Sequence, residues 1–493
     1  MQVLGKDQTA GAAASAYPHN RAESLPLFRR LCSLGENSLI VAVASPFLAL
    51  TRASVQKFLL AVVILDIPFQ CGTHLFYNES VEDFGAMGGL SISATTLALP
   101  GLYFAWFIQA AANRTPETRR QLHLGLPLLV YLVFIGISVL VAQDVKLAVF
   151  EACLFLESYL LYLYVSNQIR TREDVRFMVT VLLVGGLVES LVMIILSFTG
   201  EPSTMWGLPT HVHVETSARE GFMRIGGTIG SPNTASSYLT VLLSLAGGLL
   251  FTNLGRPYKI LASAVIALGG VALILTFSRG GWMALATSLI LFGFFLGRRR
   301  GLSLRGPIAI LVILTLLYLP FHNVISTRLF GDDKGSAASR IPLMYLAFRI
   351  FADNPVLGVG ANNFSVAMGP YLTAEFRQPA LPCQEATCRQ GFVYAVHDKY
   401  LLVLCETGIG GLVAFLAFLF AAIRRGWRCW NFSDSFLSPL ALGLLVGIAG
   451  HMVHMNVDIF RGRPMQQMIW VVAALLVAMH RMHAKASVSE ISS

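Results

Sequence analysis

Apolar runs long enough for membrane helices recur along the whole chain, separated by polar connections. They cover residues 90–110, 124–142, 147–165, 177–198, 234–251, 260–277, 282–296, 308–321, 401–422, 437–455 and 464–479. A helix rising 1.5 Å per residue needs about 20 predominantly apolar residues to cross the hydrocarbon core, and most of these runs approach that length. Runs apolar on every side belong in lipid or inside a bundle. An earlier stretch, 38–69, is interrupted by Arg52 and Lys57 and reads as one bent helix or two short ones, so the pattern predicts 12 or 13 spans.

The basic residues decide between these counts. Arg114/Arg119/Arg120, Arg170/Arg172/Arg176, Arg256/Lys259, Arg298/Arg299/Arg300, Arg424/Arg425/Arg428 and Arg481/Lys485 fall on every second connection. Cytoplasmic loops carry the excess of Lys and Arg, so these clusters and the C-terminus are expected in the cytoplasm. Arg29 and Arg30 place the N-terminus there too, which favours 12 spans. The expected organisation is a flexible cytoplasmic tail at 1–36, an N-terminal transmembrane bundle at 37–322, a large periplasmic loop at 323–396, and the last spans with a short cytoplasmic tail at 397–493. The tail lacks the apolar core directly after a basic start that marks a signal peptide. Connections 199–233 and 322–396 face away from the cytoplasm, and loops of that length are usually functional.

Composition agrees and narrows the class. Of 493 residues 55% are apolar and only 13% charged, about half the ~25% usual for a soluble domain. Disordered chains, coiled coils and soluble enzymes are excluded. The net charge of 36 − 27 = +9 is accounted for by topology rather than by nucleic acid, since no RNA- or DNA-binding motif accompanies it. The seven cysteines show no CxxC and no Cys/His metal spacing. Cys383 and Cys388 share the long loop, either as a small disulfide in an oxidising compartment or as two free thiols.

A few charges stand on the face opposite the basic clusters, where topology does not require them. Arg224 lies in "RIGGTIGSPNTAS", Arg279 in "TFSRGGW" and His397 in "VHDKYLLVLCETGIGG". Two converging arginines suit a pyrophosphate, which they grip by bidentate hydrogen bonds. A histidine beside them can take a proton from an attacking hydroxyl. Lys399 and Tyr400 follow at once and offer a phosphate contact and a hydroxyl. Gly226, Gly227, Gly230, Gly280 and Gly281 fit either close approach to a ligand or tight helix packing. His451, His454 and Asp458 share one helix face and read as interior or cavity-lining groups rather than a metal site. The loop pair His211 and His213 is weak as a ligand set, and Asp332 and Asp333 read as a solvated loop tip. Of the carboxylates near spans, Glu157 and Glu189 are functional candidates by position, whereas Glu151 and Asp66 lie close enough to span ends to be wet.

Four of these pieces together resemble the bacterial O-antigen ligase and polysaccharide-polymerase superfamily: "RIGGTIGSPNTASSYL", "TFSRGGWMAL", "RIPLMYLAFRIFADNPVLGVGANNF" and "VHDKYLLVLCETGIGGLVAFL". Asp398 stands where that family more often has asparagine. The resemblance implies an all-α, GT-C-like polytopic bundle of about 12 spans, with a long periplasmic loop before the last three. It implies an inner-membrane glycosyltransferase, metal-independent and without cofactor, that moves a glycan from undecaprenyl pyrophosphate by inverting displacement. The acceptor would be lipid A–core for a ligase or another lipid-linked repeat for a polymerase; an enzyme glycosylating proteins is a further variant. By motif, Arg224, Arg279 and His397 match the family's essential residues, and Arg340 and Glu406 lie in matching pieces as substrate-binding candidates. Polysaccharide-export and chain-length proteins are the partners this implies, besides membrane lipids. The competing class is a transporter or flippase of a lipid-linked oligosaccharide or anion, which would line a path through the whole membrane with charge. No internal repeat supports it.

Overall fold

The computed structural model describes residues 49–78, 85–112, 122–205, 207–215, 222–300, 322–323, 326, 340–372 and 395–492. The N-terminal tail at 1–36, the expected span at 308–321, Asp332, Asp333, Cys383 and Cys388 lie outside them.

The described chain is dominated by helices, as the hydropathy pattern requires. In order they are α1 (Ala53–Phe69), α2 (Ala94–Ala112), α3 (Leu126–Ser138, ending in a 3-10 turn), α4 (Val145–Gln168), α5 (Arg172–Thr199), α6 (Pro232–Leu250), α7 (Arg256–Leu275), α8 (Arg279–Arg300), α9 (Arg340–Asp353), α10 (Phe364–Ala367), α11 (Lys399–Trp430), α12 (Leu437–His454) and α13 (Arg463–Ser492). Seven of them, α4, α5, α7, α8, α11, α12 and α13, are long and apolar enough to cross a membrane. Three small antiparallel hairpins punctuate the bundle: β1 (Gly72–Leu75) with β2 (Leu90–Ser93), β3 (Thr204–Met205) with β4 (Leu208–Pro209), and β5 (His211–Glu215) with β6 (Phe222–Gly227).

Glycine sets the closest packing. Helices α6 and α8 both run antiparallel to α12, with almost no side chain between them. A Cβ on Gly248 would stand 2.5 Å from the Pro439 carbonyl, one on Gly443 2.5 Å from that of Ser244, and one on Gly450 2.6 Å from that of Ala284. Without a hydrophobic driving force between helices in lipid, small residues that let backbones approach are what hold them together. Polar pins fix the register: Ser288 Oγ donates to the Val446 carbonyl at 2.9 Å, and Ser237 Oγ and His451 Nδ1 share a 2.6 Å hydrogen bond. The antiparallel order puts Arg172, Arg256, Arg298 and Arg428 at one end of the bundle and Arg224, Arg279 and His397 at the other.

Helix α11 is broken. Gly408 has φ 68° and ψ −173°, which frees backbone groups on both sides. The segment after α9 takes them up: Val359 N–H donates to the Cys405 carbonyl at 2.8 Å, Gly360 N–H to that of Glu406 at 3.1 Å, and Ile409 N–H to that of Pro355 at 3.0 Å. Irregular backbone at membrane depth is tolerated only when protein satisfies it in this way. A Cβ on Gly358 would stand 2.3 Å from the Cys405 carbonyl, so "LGVG" and "ETGIG" are two halves of one joint.

The carboxylates correct one expectation. Asp66 and Glu151 are not wet; they are 1% and 3% exposed. Asp66 accepts from Thr95 N–H at 2.9 Å and Thr95 Oγ at 2.7 Å, and stands 3.4 Å from Arg463. The residues that follow β2, and the loop carrying Asn362 onto the Leu147 carbonyl, roof the span ends that hydropathy leaves open. Glu157 accepts from Gln467 and Thr96. Glu189 accepts from Thr228 N–H at 2.9 Å and its hydroxyl at 2.5 Å, pinning the end of β6 to α5.

Candidate functional site

Arg224 sits on β6, opposite His213 in the β5–β6 register. Its Nε donates to the Thr276 carbonyl at 3.1 Å and its Nη2 to Asn233 Oδ1 at 2.7 Å. The half-buried guanidinium is thus strung between the end of α7 and the start of α6. Phe277, in left-handed conformation at φ 49°, turns the chain sharply. Ser278 Oγ then caps α8 by accepting from Gly281 N–H at 3.2 Å, which sets Arg279 in the first turn. Arg224 and Arg279 therefore flank a single turn between two helices.

The same turn rests on the end of α12. Ser278 Oγ lies 3.5 Å from His454 Nε2, and a Cβ on Gly280 would stand 2.5 Å from the His454 ring. His454 and His397 both feel the charges of Asp458 and Arg340. Lys399 N–H donates to the Met455 carbonyl at 2.8 Å and holds the segment carrying His397 against α12. His397, His454, Asp458 and Arg340 therefore lie within electrostatic reach of one another at this end of α12, where His454 meets the Arg279 turn. Burial lowers the His397 pKa below its ordinary value; the Asp458 carboxylate raises it and the Arg340 guanidinium lowers it. His397 Nδ1 is buried without a hydrogen-bond partner.

Three further sequence candidates lie elsewhere. Lys399 follows His397 in sequence, but its side chain is 7% exposed and lines an interior cavity of about 30 Å³ with Phe155, His451, Gln466 and Trp470. Such a space holds a water or two. The Tyr400 hydroxyl donates to the Met452 carbonyl at 2.9 Å. Glu406 accepts from Arg461 and from Phe364 N–H, next to the break in α11. These residues brace the scaffold beneath the His397 group. Gly280 and Gly281 serve helix packing, against His454 and Ser236. Among the described residues no group of three His, Cys, Asp or Glu is placed to hold a metal.

Sequence reasoning missed Arg461 and Arg463, and it did not join His454 and Asp458 to His397. The signal for the two arginines was present. They lie on the arginine-poor face, in "DIFRGRP", and the criterion that singled out Arg224 and Arg279 applies to them equally.

Residues 262–416 match the O-antigen ligase family model. The stretch runs from α7 into α11 and contains Arg279, Arg340, His397 and Glu406, while Arg224 precedes it. No curated protein matches the chain. The family match bears out the resemblance and covers three of the four motifs that carry it. Over that stretch the chain is similar to the O-antigen ligase family, and seven apolar helices are long enough to make it a multi-pass membrane protein.

Proposed function

We propose that the chain is a GT-C-like glycosyltransferase of the bacterial inner membrane. It moves a glycan from undecaprenyl pyrophosphate to an acceptor hydroxyl on the periplasmic side, the face opposite its arginine clusters. The observation that carries this reading is the packing of the Arg224–Arg279 turn and the His397 group onto the same end of α12.

The chemistry follows from these groups. The guanidiniums of Arg224 and Arg279 hold the pyrophosphate, and Arg340 adds a third cation beside the histidine. Charge that develops on the leaving oxygen as the sugar–oxygen bond breaks is stabilised where it forms, without reorganisation. His397, its pKa lowered by burial, presents a neutral imidazole that takes the proton of the acceptor hydroxyl as that oxygen bonds to the sugar carbon. One direct displacement inverts that carbon, and the lipid pyrophosphate leaves. Helix α9, which supplies Arg340, belongs to the catalytic half of the molecule.

The test is a deletion strain analysed for its lipid-linked and surface glycans. Full-length glycan stranded on the lipid carrier identifies a ligase, and accumulated single repeats identify a polymerase. Unchanged lipid-linked and surface glycans would refute the reading.

A further inference from the structure

At the end of the bundle remote from His397, four elements leave an open cavity of about 440 Å³. This falls within the ~300–1,000 Å³ range of ligand sites. Its deep walls are the buried side chains of Phe292, Leu296, Trp430 and Leu442, and Phe251 stands half-exposed at the rim, its ring 5.7 Å from that of Phe292. Its polar end is the turn Ser433–Asp434–Ser435. Asp434 Oδ1 accepts from Phe436 and Leu437 N–H, each at 2.8 Å, and Oδ2 accepts from Arg172 Nη2 at 2.6 Å. The acid in the cavity is thereby satisfied and neutralised, while the side chain of Arg172 remains 63% exposed.

The same end of the bundle is rich in exposed positive charge. Arg298 is exposed near the end of α8, Arg428 is exposed in the last turn of α11, and Arg172 and Arg176 open α5. An apolar slot at the level of helix ends, with Arg172 on its acidic turn and further arginines on the neighbouring helix ends, is complementary to an amphiphile with an anionic head. Basic pockets between membrane helices on the side rich in Lys and Arg bind anionic headgroups.

We infer that this cavity is a binding site for an anionic phospholipid of the leaflet at the basic end. One acyl chain lies between Phe292, Trp430 and Leu442, and the phosphate is held by Arg172 with Arg298 and Arg428. The site stands apart from the proposed glycan chemistry and does not depend on it. Its occupation ties the ends of α5, α8, α11 and α12 together.

The experiment is native mass spectrometry of the detergent-purified full chain, titrated with phosphatidylglycerol or with phosphatidylcholine of the same acyl chains. Each arginine near an anionic surface contributes roughly a fivefold gain, so with three arginines wild-type protein is expected to retain phosphatidylglycerol on the order of a hundredfold better. Leu442→Trp, which fills the slot, and the triple change Arg172→Gln, Arg298→Gln, Arg428→Gln should each abolish that preference. The triple variant alters only exposed side chains and decides the matter if the Trp variant does not fold. Equal retention of the two lipids by wild type, or a preference that survives in a folded variant, overturns the inference.

Discussion

Arg461 Nη2 meets Glu406 Oε1 at 2.5 Å, with the two side chains 6% and 5% exposed. The pair is part of a relay. Arg461 Nη1 also donates to Asn362 Oδ1 at 2.8 Å, and Asn362 Nδ2 donates to the Met87 and Leu147 carbonyls. One ion pair thus fastens α11 to the segment before α13, and through Asn362 to the loop that seals the break at Gly408. Removing one partner of a buried pair strands the other charge, at a cost of about 3–5 kcal/mol. Glu406→Ala is therefore expected to lower the thermal unfolding midpoint sharply, and Glu406→Gln less so because it keeps an acceptor for Phe364 N–H. Fluorescence-detected thermal unfolding in detergent checks this, and equal midpoints for wild type and Glu406→Ala would refute the relay.

The joint at Gly408 makes a separate prediction. A Cβ there would stand 2.1 Å from the Val356 carbonyl, and the backbone is at φ 68°. Holding a non-glycine residue in that region costs on the order of 1–3 kcal/mol before any clash is counted. Gly408→Ala should destabilise the protein and expose the 355–360 segment to protease. Gly297→Ala, where a Cβ meets nothing within 4 Å, should leave both properties at wild-type levels. Equal protease sensitivity in the two variants would mean that the joint does not depend on the glycine.

What could be read from the chain follows from the cost of charge in lipid. Arg224, Arg279 and His397 stood out because nothing in a bundle's topology requires them where they are, and the structure does gather them at one end. Helix placement was legible for the same reason: apolar length and alternating arginines are local signals. The interior pairs were not legible. Glu406 finds Arg461 across a helix boundary, Asp66 finds Thr95 beyond a hairpin, and Asn362 finds Met87 from a different part of the chain. Local periodicity carries no record of such partners. Lys399 shows the converse limit. Adjacency to His397 suggested a shared task, but the start of α11 sends the lysine into the bundle and leaves the histidine with Arg340 and Asp458.

The His397 environment fixes a sign for pH dependence. Burial puts its pKa below the ordinary 6.5, so the imidazole is neutral at pH 7 and ready to accept a proton. Transfer (kcat/KM) should stay flat as pH falls through 6.5 and decline only below it, as the histidine protonates. Stability changes with the same sign: below 6.5 the unfolded chain binds a proton that the folded one does not, so acid weakens the fold. Asp458→Asn removes a charge that raises the pKa and should move the acid limb to lower pH. Arg340→Gln removes a charge that lowers it and should move the limb to higher pH. A limb that stays put in both variants, or moves the same way in both, would show that His397 is not the titrating group.

Arg224 tests the pyrophosphate assignment most sharply. Its guanidinium is held by two bonds at once, Nε to the Thr276 carbonyl and Nη2 to Asn233 Oδ1. Those bonds aim the fork, and lysine preserves the charge but cannot reproduce two parallel donors. Loss of one preorganised donor at a developing anion costs on the order of 10²–10³ in rate. Arg224→Lys and Arg279→Lys are therefore each expected to lower glycan transfer from the lipid-linked donor by about that factor, with Arg279→Ala and His397→Ala abolishing it. All four should insert into the membrane at wild-type levels. Asn233→Ala frees the fork while keeping the charge, so it should show an intermediate loss that appears in kcat rather than in membrane insertion. Assayed in vesicles with purified donor and acceptor, normal product yield and length from both Arg279→Ala and His397→Ala would remove these residues from the chemistry. Normal transfer by Arg224→Lys would show that its charge alone suffices.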